Sequence, residues 1–128
     1  MQGTITLTIE GENLCFQQLD ENLNICATKY ISKGEQIRTN HKSELNRWIY
    51  KKKFDSDDFE ENFDRFLDMF LSQKDALHKI AQELNVSINV YITSEQAQFG
   101  YSLTKRQLDQ LNLLGVDVHF HIFSYGMI

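Results

Sequence analysis

The sequence predicts a single α+β domain over residues 1–128, a mostly antiparallel sheet of about five strands with helices packed on one face. Three observations carry this expectation. Thr4–Ile9, Ser87–Ile92 and Val116–Ile122 each place apolar residues at every second position, the period of a strand with one buried face. Phe59, Phe63, Phe66 and Phe70 recur at intervals of four, three and four, a single stripe along an α-helix. The chain has 128 residues and no proline, so it has the length of one domain and no Pro-rich linker to divide it.

The elements follow in order. Ile5, Leu7 and Ile9 point inward from the first strand and the threonines outward, until Gly11 ends it. Leu14, Phe16, Leu19 and Leu23 give a short helix within Asn13–Leu23, and Ile25–Ile31 reads as a strand closed by the Lys33-Gly34 turn. Arg38–Ser43 reads as a polar loop. Leu45–Phe54 is a strand with Trp48, Tyr50 and Phe54 on one face and Arg47, Lys51 and Lys53 on the other, interrupted by Ile49. The phenylalanine helix starts near Ser56, with Asp57, Asp58, Glu60 and Glu61 in its first turns, where the helix dipole favours negative charge. Ser72 and Asp75 have the spacing of a capping box for a second helix to about Leu84, burying Ala76, Leu77, Ile80 and Leu84. After the strand carrying Ile88, Val90 and Ile92 comes a loop with an edge strand through Phe99 and Tyr101. Thr104 and Gln107 form a capping box, Leu103 staples onto Leu108, and Leu108, Leu111 and Leu114 are the buried stripe. Gly115 supplies the left-handed stop before the closing strand. Residues 4–37 and 86–125 both read as strand–helix–strand, which suggests a pseudo-repeat.

Composition narrows the class. With 41% hydrophobic and 24% charged residues the chain is ordinary for a globular protein and too apolar for a disordered one. A net charge of −5 argues against general nucleic-acid binding, because phosphate backbones repel an acidic surface. Cys15 and Cys26 are too few for a disulfide framework and lack metal-site spacing. They read as reduced thiols of a cytoplasmic protein, with a single Cys15–Cys26 bridge as the alternative. The opening residues do not read as a signal peptide, because alternation begins at Thr4, and no apolar run approaches the ~20 residues of a membrane span.

The opening strand is followed by Gly11-Glu12-Asn13, and Ile25–Glu35 ends in Lys33-Gly34-Glu35. The Trp48 strand leads into Asp58-Phe59-Glu60-Glu61, and Ile88–Ile92 comes next. The Ser102-Leu103-Thr104 helix start and the Val116-Asp117-Val118 strand come last. In these parts and their order the chain resembles the bacterial domain of unknown function 4279 family. The chain has Cys26-Ala27 where the family often has a proline. The resemblance implies no reaction, cofactor or catalytic residue. Small bacterial domains of this sort often resemble immunity proteins of toxin systems.

No nucleophile elbow, phosphate loop or dinucleotide glycine pattern occurs. Asp117, His119 and His121 share a strand face, which is either a partial metal site or a polar outer sheet face. A Cys–His dyad drawn from Cys15 or Cys26 with His41 or His78 has nothing in the spacing to fix it. No cofactor or metal is expected. Charge segregation is the strongest surface signal. Lys33, Arg38, Lys42, Arg47, Lys51, Lys52 and Lys53 against Glu35 and Glu44 give residues 33–53 a charge of +5. Residues 55–68 carry −6, and Asp57, Glu61, Asp64 and Asp68 line the helix opposite its phenylalanine stripe.

The sequence therefore points to a non-enzymatic protein-interaction domain, an immunity-type inhibitor of a basic toxin domain. Asp57, Glu61, Asp64 and Asp68 would dock as an acidic ridge, with Trp48 and Tyr50 as anchors unless they are core residues. Reversing the four acids is expected to weaken binding and leave the fold intact. The alternative is a small-ligand or regulatory domain with a pocket between sheet and helices near Phe99, Tyr101 and His121.

Overall fold

The computed structural model describes residues 2–55, 58–94 and 102–124. Alternation makes Gln2–Gly11 a strand (β1) whose two edges are both paired, antiparallel to β5 (Asn46–Phe54) on one side and to β6 (Asn85–Ser94) on the other. β2 (Lys29–Ile31) extends the sheet antiparallel to β5, and β7 (Asp117–Ser124) runs parallel to β6. The order is β2-β5-β1-β6-β7, an α+β sheet of five strands with one parallel pair. A separate small hairpin joins β3 (Gln36–Arg38) to β4 (His41–Lys42), turning at Asn40 with φ of 60°. This is where the sequence suggested a loop. Polar strands this short give no apolar alternation to read.

Register puts Leu7 opposite Tyr50 and Ile88, and Ile9 opposite Trp48 and Val86, so the apolar positions of three strands share one face. The helices cover that face. They are α1 (Phe16–Leu23), α2 (Phe59–Leu71), α3 (Lys74–Glu83) and α4 (Lys105–Leu114). Phe59, Phe63, Phe66 and Phe70 are all buried there. Phe59 stacks on Phe63 at 5.2 Å, and Tyr50 lies 6.0 Å from Phe66 and 5.6 Å from Phe70. Fully burying a large apolar side chain contributes about 1.5–3 kcal/mol, so this stripe is the main anchor of the helix layer.

The expected strand Ile25–Ile31 contracts to three residues. Asn24 adopts φ of 54° to end α1, and the Ala27 amide is then drawn to the Asp20 carboxylate at 3.1 Å instead of into a ladder. The Ser72–Asp75 capping box does not form. Ser72 keeps helical angles (φ −63°, ψ −19°), whereas a cap needs an extended backbone, and its hydroxyl donates to the Met69 carbonyl at 2.8 Å. The Thr104–Gln107 box and the left-handed Gly115 stop are both present. The inner face of α4 differs from the leucine stripe. Gln107, Gln110 and Leu114 are buried, while Leu108 is 52% exposed and cannot staple Leu103 into the core. The neighbour of α4 is a polar side of α2, so amides face inward.

The pseudo-repeat exists as topology with one interruption. β6 and β7 are adjacent and parallel across α4, while β1 and β2 are parallel across α1 with β5 inserted between them. The first unit is thus a split form of the second.

Candidate functional site on the open face of the sheet

The residues that alternate away from the helices form the second face of the sheet. Thr4, Thr6 and Thr8 of β1 face Lys53, Lys51 and Ile49 of β5 and Tyr91, Asn89 and Ser87 of β6. Next to β6, register sets Asp117, His119 and His121 opposite Ser87, Asn89 and Tyr91. At the other edge Lys29 lies opposite Ile49, and Ile31 opposite Arg47. All of these but Lys53, Asp117 and His121, together with Glu10 and Asn85, line a groove of about 650 Å³. No helix among the described residues lies over it, yet Thr6, Ser87 and Ile31 are only 5%, 8% and 5% exposed, because they form its floor.

Hydrogen bonds hold the floor in place. The Thr6 hydroxyl donates to the Asn89 carbonyl at 3.4 Å, and the Asn89 amide donates to Ser87 Oγ at 3.3 Å. His121 Nε2 lies 3.2 Å from Asn89 Oδ1, and its ring stacks on Tyr91 at 4.5 Å with 12° between the planes. At the far end Arg47 Nε pairs with Glu10 Oε2 at 3.1 Å, but not in hydrogen-bonding geometry, so among the described residues this buried nitrogen has no hydrogen-bond partner.

His119 and His121 do share a face with Asp117, as the strand period required. It is the polar outer face. Among the described residues no group of three or more His, Cys, Asp or Glu side chains could hold a metal ion. Cys15 and Cys26 are both free and exposed. His78 Nε2 contacts the Leu113 carbonyl at 2.6 Å, tying α3 to the end of α4.

The acidic ridge fares differently. Asp57 lies outside the described residues. Glu61 is exposed and pairs with Arg65 one turn on. Asp64 accepts a hydrogen bond from Gln107 Nε2 at 3.0 Å. Asp68 accepts from Gln110 Nε2 at 2.9 Å and pairs with Arg106 at 3.4 Å. Two of the four acids therefore hold α4 against α2 and do not form a free docking surface.

Trp48 is not an anchor. It is fully buried, and its indole N–H donates to Asp20 Oδ1 at 2.8 Å. Asp20 also accepts from the Tyr30 hydroxyl and from the Ala27 amide. Desolvation pushes the Asp20 carboxyl up, but these three hydrogen bonds outweigh it and hold the pKa below the ordinary value. The Tyr30 phenol is pushed above its ordinary value, first by the bond to Asp20 and then by desolvation and by the charge on Asp20. Tyr50 is half-buried against Phe66 and Phe70.

The pocket expected between sheet and helices is not where the groove lies. That layer is filled by the aromatic core, and His121 faces the opposite side. Phe99 and Tyr101 lie outside the described residues. Sequence reasoning placed the threonines on an outer face but missed that the face is grooved. The signal was the matched polar set at Thr4, Thr6, Thr8, Ser87 and Asn89, legible only once β1 and β6 are paired.

The family model described as Domain of unknown function (DUF4279) matches residues 1–125 of the 128. The chain belongs to that family. No curated protein and no solved structure matches this DUF4279 domain. No helix among its described residues is long and apolar enough to cross a membrane.

Proposed function

We propose that this DUF4279 domain is a non-enzymatic protein-interaction domain whose recognition surface is the open face of the sheet. The observation that carries the reading is a polar groove, uncovered by any helix of the described residues, whose floor is already fixed by hydrogen bonds among Thr6, Ser87, Asn89 and His121. Preorganised polar groups lower the cost of ordering a surface on binding. A small-molecule site encloses its ligand in a mostly apolar pocket. This groove is broad and lined by hydroxyls, amides and charges, which suits a protein surface better.

Catalysis has less support. Ser87, Asp117 and His119 share the face, but Ser87 Oγ accepts from Asn89, and no hydrogen bond joins Ser87 to His119 among the described residues. A nucleophile needs such a base within reach. An immunity-type inhibitor, which silences a toxin by occupying its surface, is the narrowest form of this proposal.

The test places a photo-crosslinking residue at Thr4 on the open face or at Glu61 on α2, in the tagged chain expressed in its source organism. One protein crosslinked from Thr4 and not from Glu61, and lost when Thr8→Trp fills the groove, is the expected result. The reverse pattern would return recognition to the acidic helix.

A further inference from the structure

The partner's chemistry is written in the register of β2 and β5, granted the proposal above that the open face is the recognition surface. Ile49 is half-buried on that face, with Lys29 directly opposite and Arg47 and Lys51 two residues away on either side. Ile31, opposite Arg47, continues the aliphatic floor. Three cations thus ring a small apolar spot. Diagonal neighbours such as Lys29 and Lys51 stand roughly 7–8 Å apart in a sheet, within mutual repulsion. Neither Lys29 nor Lys51 forms an ion pair among the described residues, and Arg47 has Glu10 beside it in poor geometry.

A sheet face selected for stability alone would alternate its charges, because like charges across strands destabilise. Here the groove lining carries Lys29, Arg47 and Lys51 against Glu10, a positive groove on a chain of net charge −5. Complementary charge speeds encounter and rejects wrong partners.

We infer that the open face takes an acidic protein segment, with carboxylates at Lys29, Arg47 and Lys51 and an apolar side chain on Ile31 and Ile49. This inverts the charge expected of the partner from the sequence. A nucleic acid would offer the same negative charge, but it binds open sheets by stacking bases on free aromatic rings. Tyr91 instead stacks on His121 of its own sheet, and the exposed Phe123 ring of the edge strand β7 lies outside the groove lining.

The experiment is an amide-resolved NMR titration of the full chain with three probes. They are a short Glu-rich peptide carrying one central Leu, the same peptide with Gln for Glu, and oligothymidylate. The Glu peptide is expected to shift the amides of Thr6, Thr8, Ile31, Ile49 and Ser87. Its affinity should fall roughly tenfold in Lys29→Gln/Lys51→Gln, a variant checked for native spectral dispersion, and should fade with added salt. Equal binding of the Gln peptide at those amides would overturn the acidic partner while leaving the open face as the recognition surface. Shifts confined to the β3–β4 hairpin, around Arg38 and Lys42, would overturn both. Tighter binding of oligothymidylate, or no response to the Glu peptide, would also overturn the inference.

Discussion

The two faces of the sheet are made by the same strands and obey different rules. From β1, Ile5, Leu7 and Ile9 enter a core with no exposure, while Thr4, Thr6 and Thr8 enter a groove. The covered face is filled by interlocking phenylalanines, so its residues are answerable to packing. The open face has buried positions that no described helix covers, two lysines that form no ion pair among the described residues and a ring pair stacked on the surface. Stability explains the first face. It does not explain the second, whose charges stability would arrange differently.

The largest expected contrast is between Phe66→Ala and Thr8→Ala. Phe66 is 2% exposed in the centre of the core, and its truncation should cost about 3–5 kcal/mol in urea denaturation. Thr8→Ala on the open face should cost below about 1 kcal/mol. Equal losses would mean that the groove is packed as a second core, and the comparison would collapse.

Gly3→Ala probes where the faces meet the backbone. A Cβ at Gly3 would meet the Tyr91 carbonyl oxygen and the Phe54 ring, and only the ring can move. Overpacking of this kind should cost about 1–3 kcal/mol. A neutral result would show that the β1–β6 pairing yields more easily than the core it carries.

Asp20 links α1 to the sheet, and its loss should be comparable. Asp20→Ala leaves the buried Trp48 indole N–H without an acceptor, which should cost about 1–3 kcal/mol. The pH dependence has a definite sign. A carboxyl held below its ordinary 3.8 contributes stability that is present above that pH and is lost as pH falls through the folded value. The Tyr30 phenol, raised above 10.0, contributes stability that is present below that pH and is lost as pH rises through its folded value. The stability difference between native chain and Asp20→Asn should therefore shrink below about pH 3.8. Tyr30→Phe should flatten the alkaline limb above pH 10.0. An acid limb identical in Asp20→Asn would place the hydrogen bonds to Trp48 and Tyr30 outside the energetics of the fold.

Helix α2 divides in the same way. Asp64→Lys loses the Gln107 bond and sets a cation against α4, so about 1 kcal/mol should be lost, whereas Glu61→Lys should stay within about 0.5 kcal/mol. The expectation that all four acids could be reversed without harm to the fold came from reading α2 alone. Alternation, the phenylalanine period and the Thr104 and Gly115 caps are local signals, and they located β1, β5, β6, β7, α2 and α4. The burial of Gln107 and Gln110 depends on Asp64 and Asp68 some forty residues away in sequence, so no local pattern announces it. Trp48 was ambiguous for the same reason. Its partner Asp20 sits on α1, and only the fold brings them together. The groove was half legible, as a threonine face and a lysine face whose adjacency waits on the insertion of β5 beside β1.

The smallest effect carries the most information about the open face. Lys29→Gln removes one of the cations that flank Ile49 without a counter-ion among the described residues, and so relieves repulsion from Lys51. The variant should be more stable than the native chain by about 0.2–0.5 kcal/mol at low ionic strength, the scale of a cross-strand pair. The gain should disappear at high salt, where exposed charges are screened. Urea titrations at two salt concentrations measure it. A loss of stability would assign Lys29 a structural role on the sheet edge. A gain would mean that the cation is kept at the expense of stability, which is the behaviour of a residue selected for what binds to it.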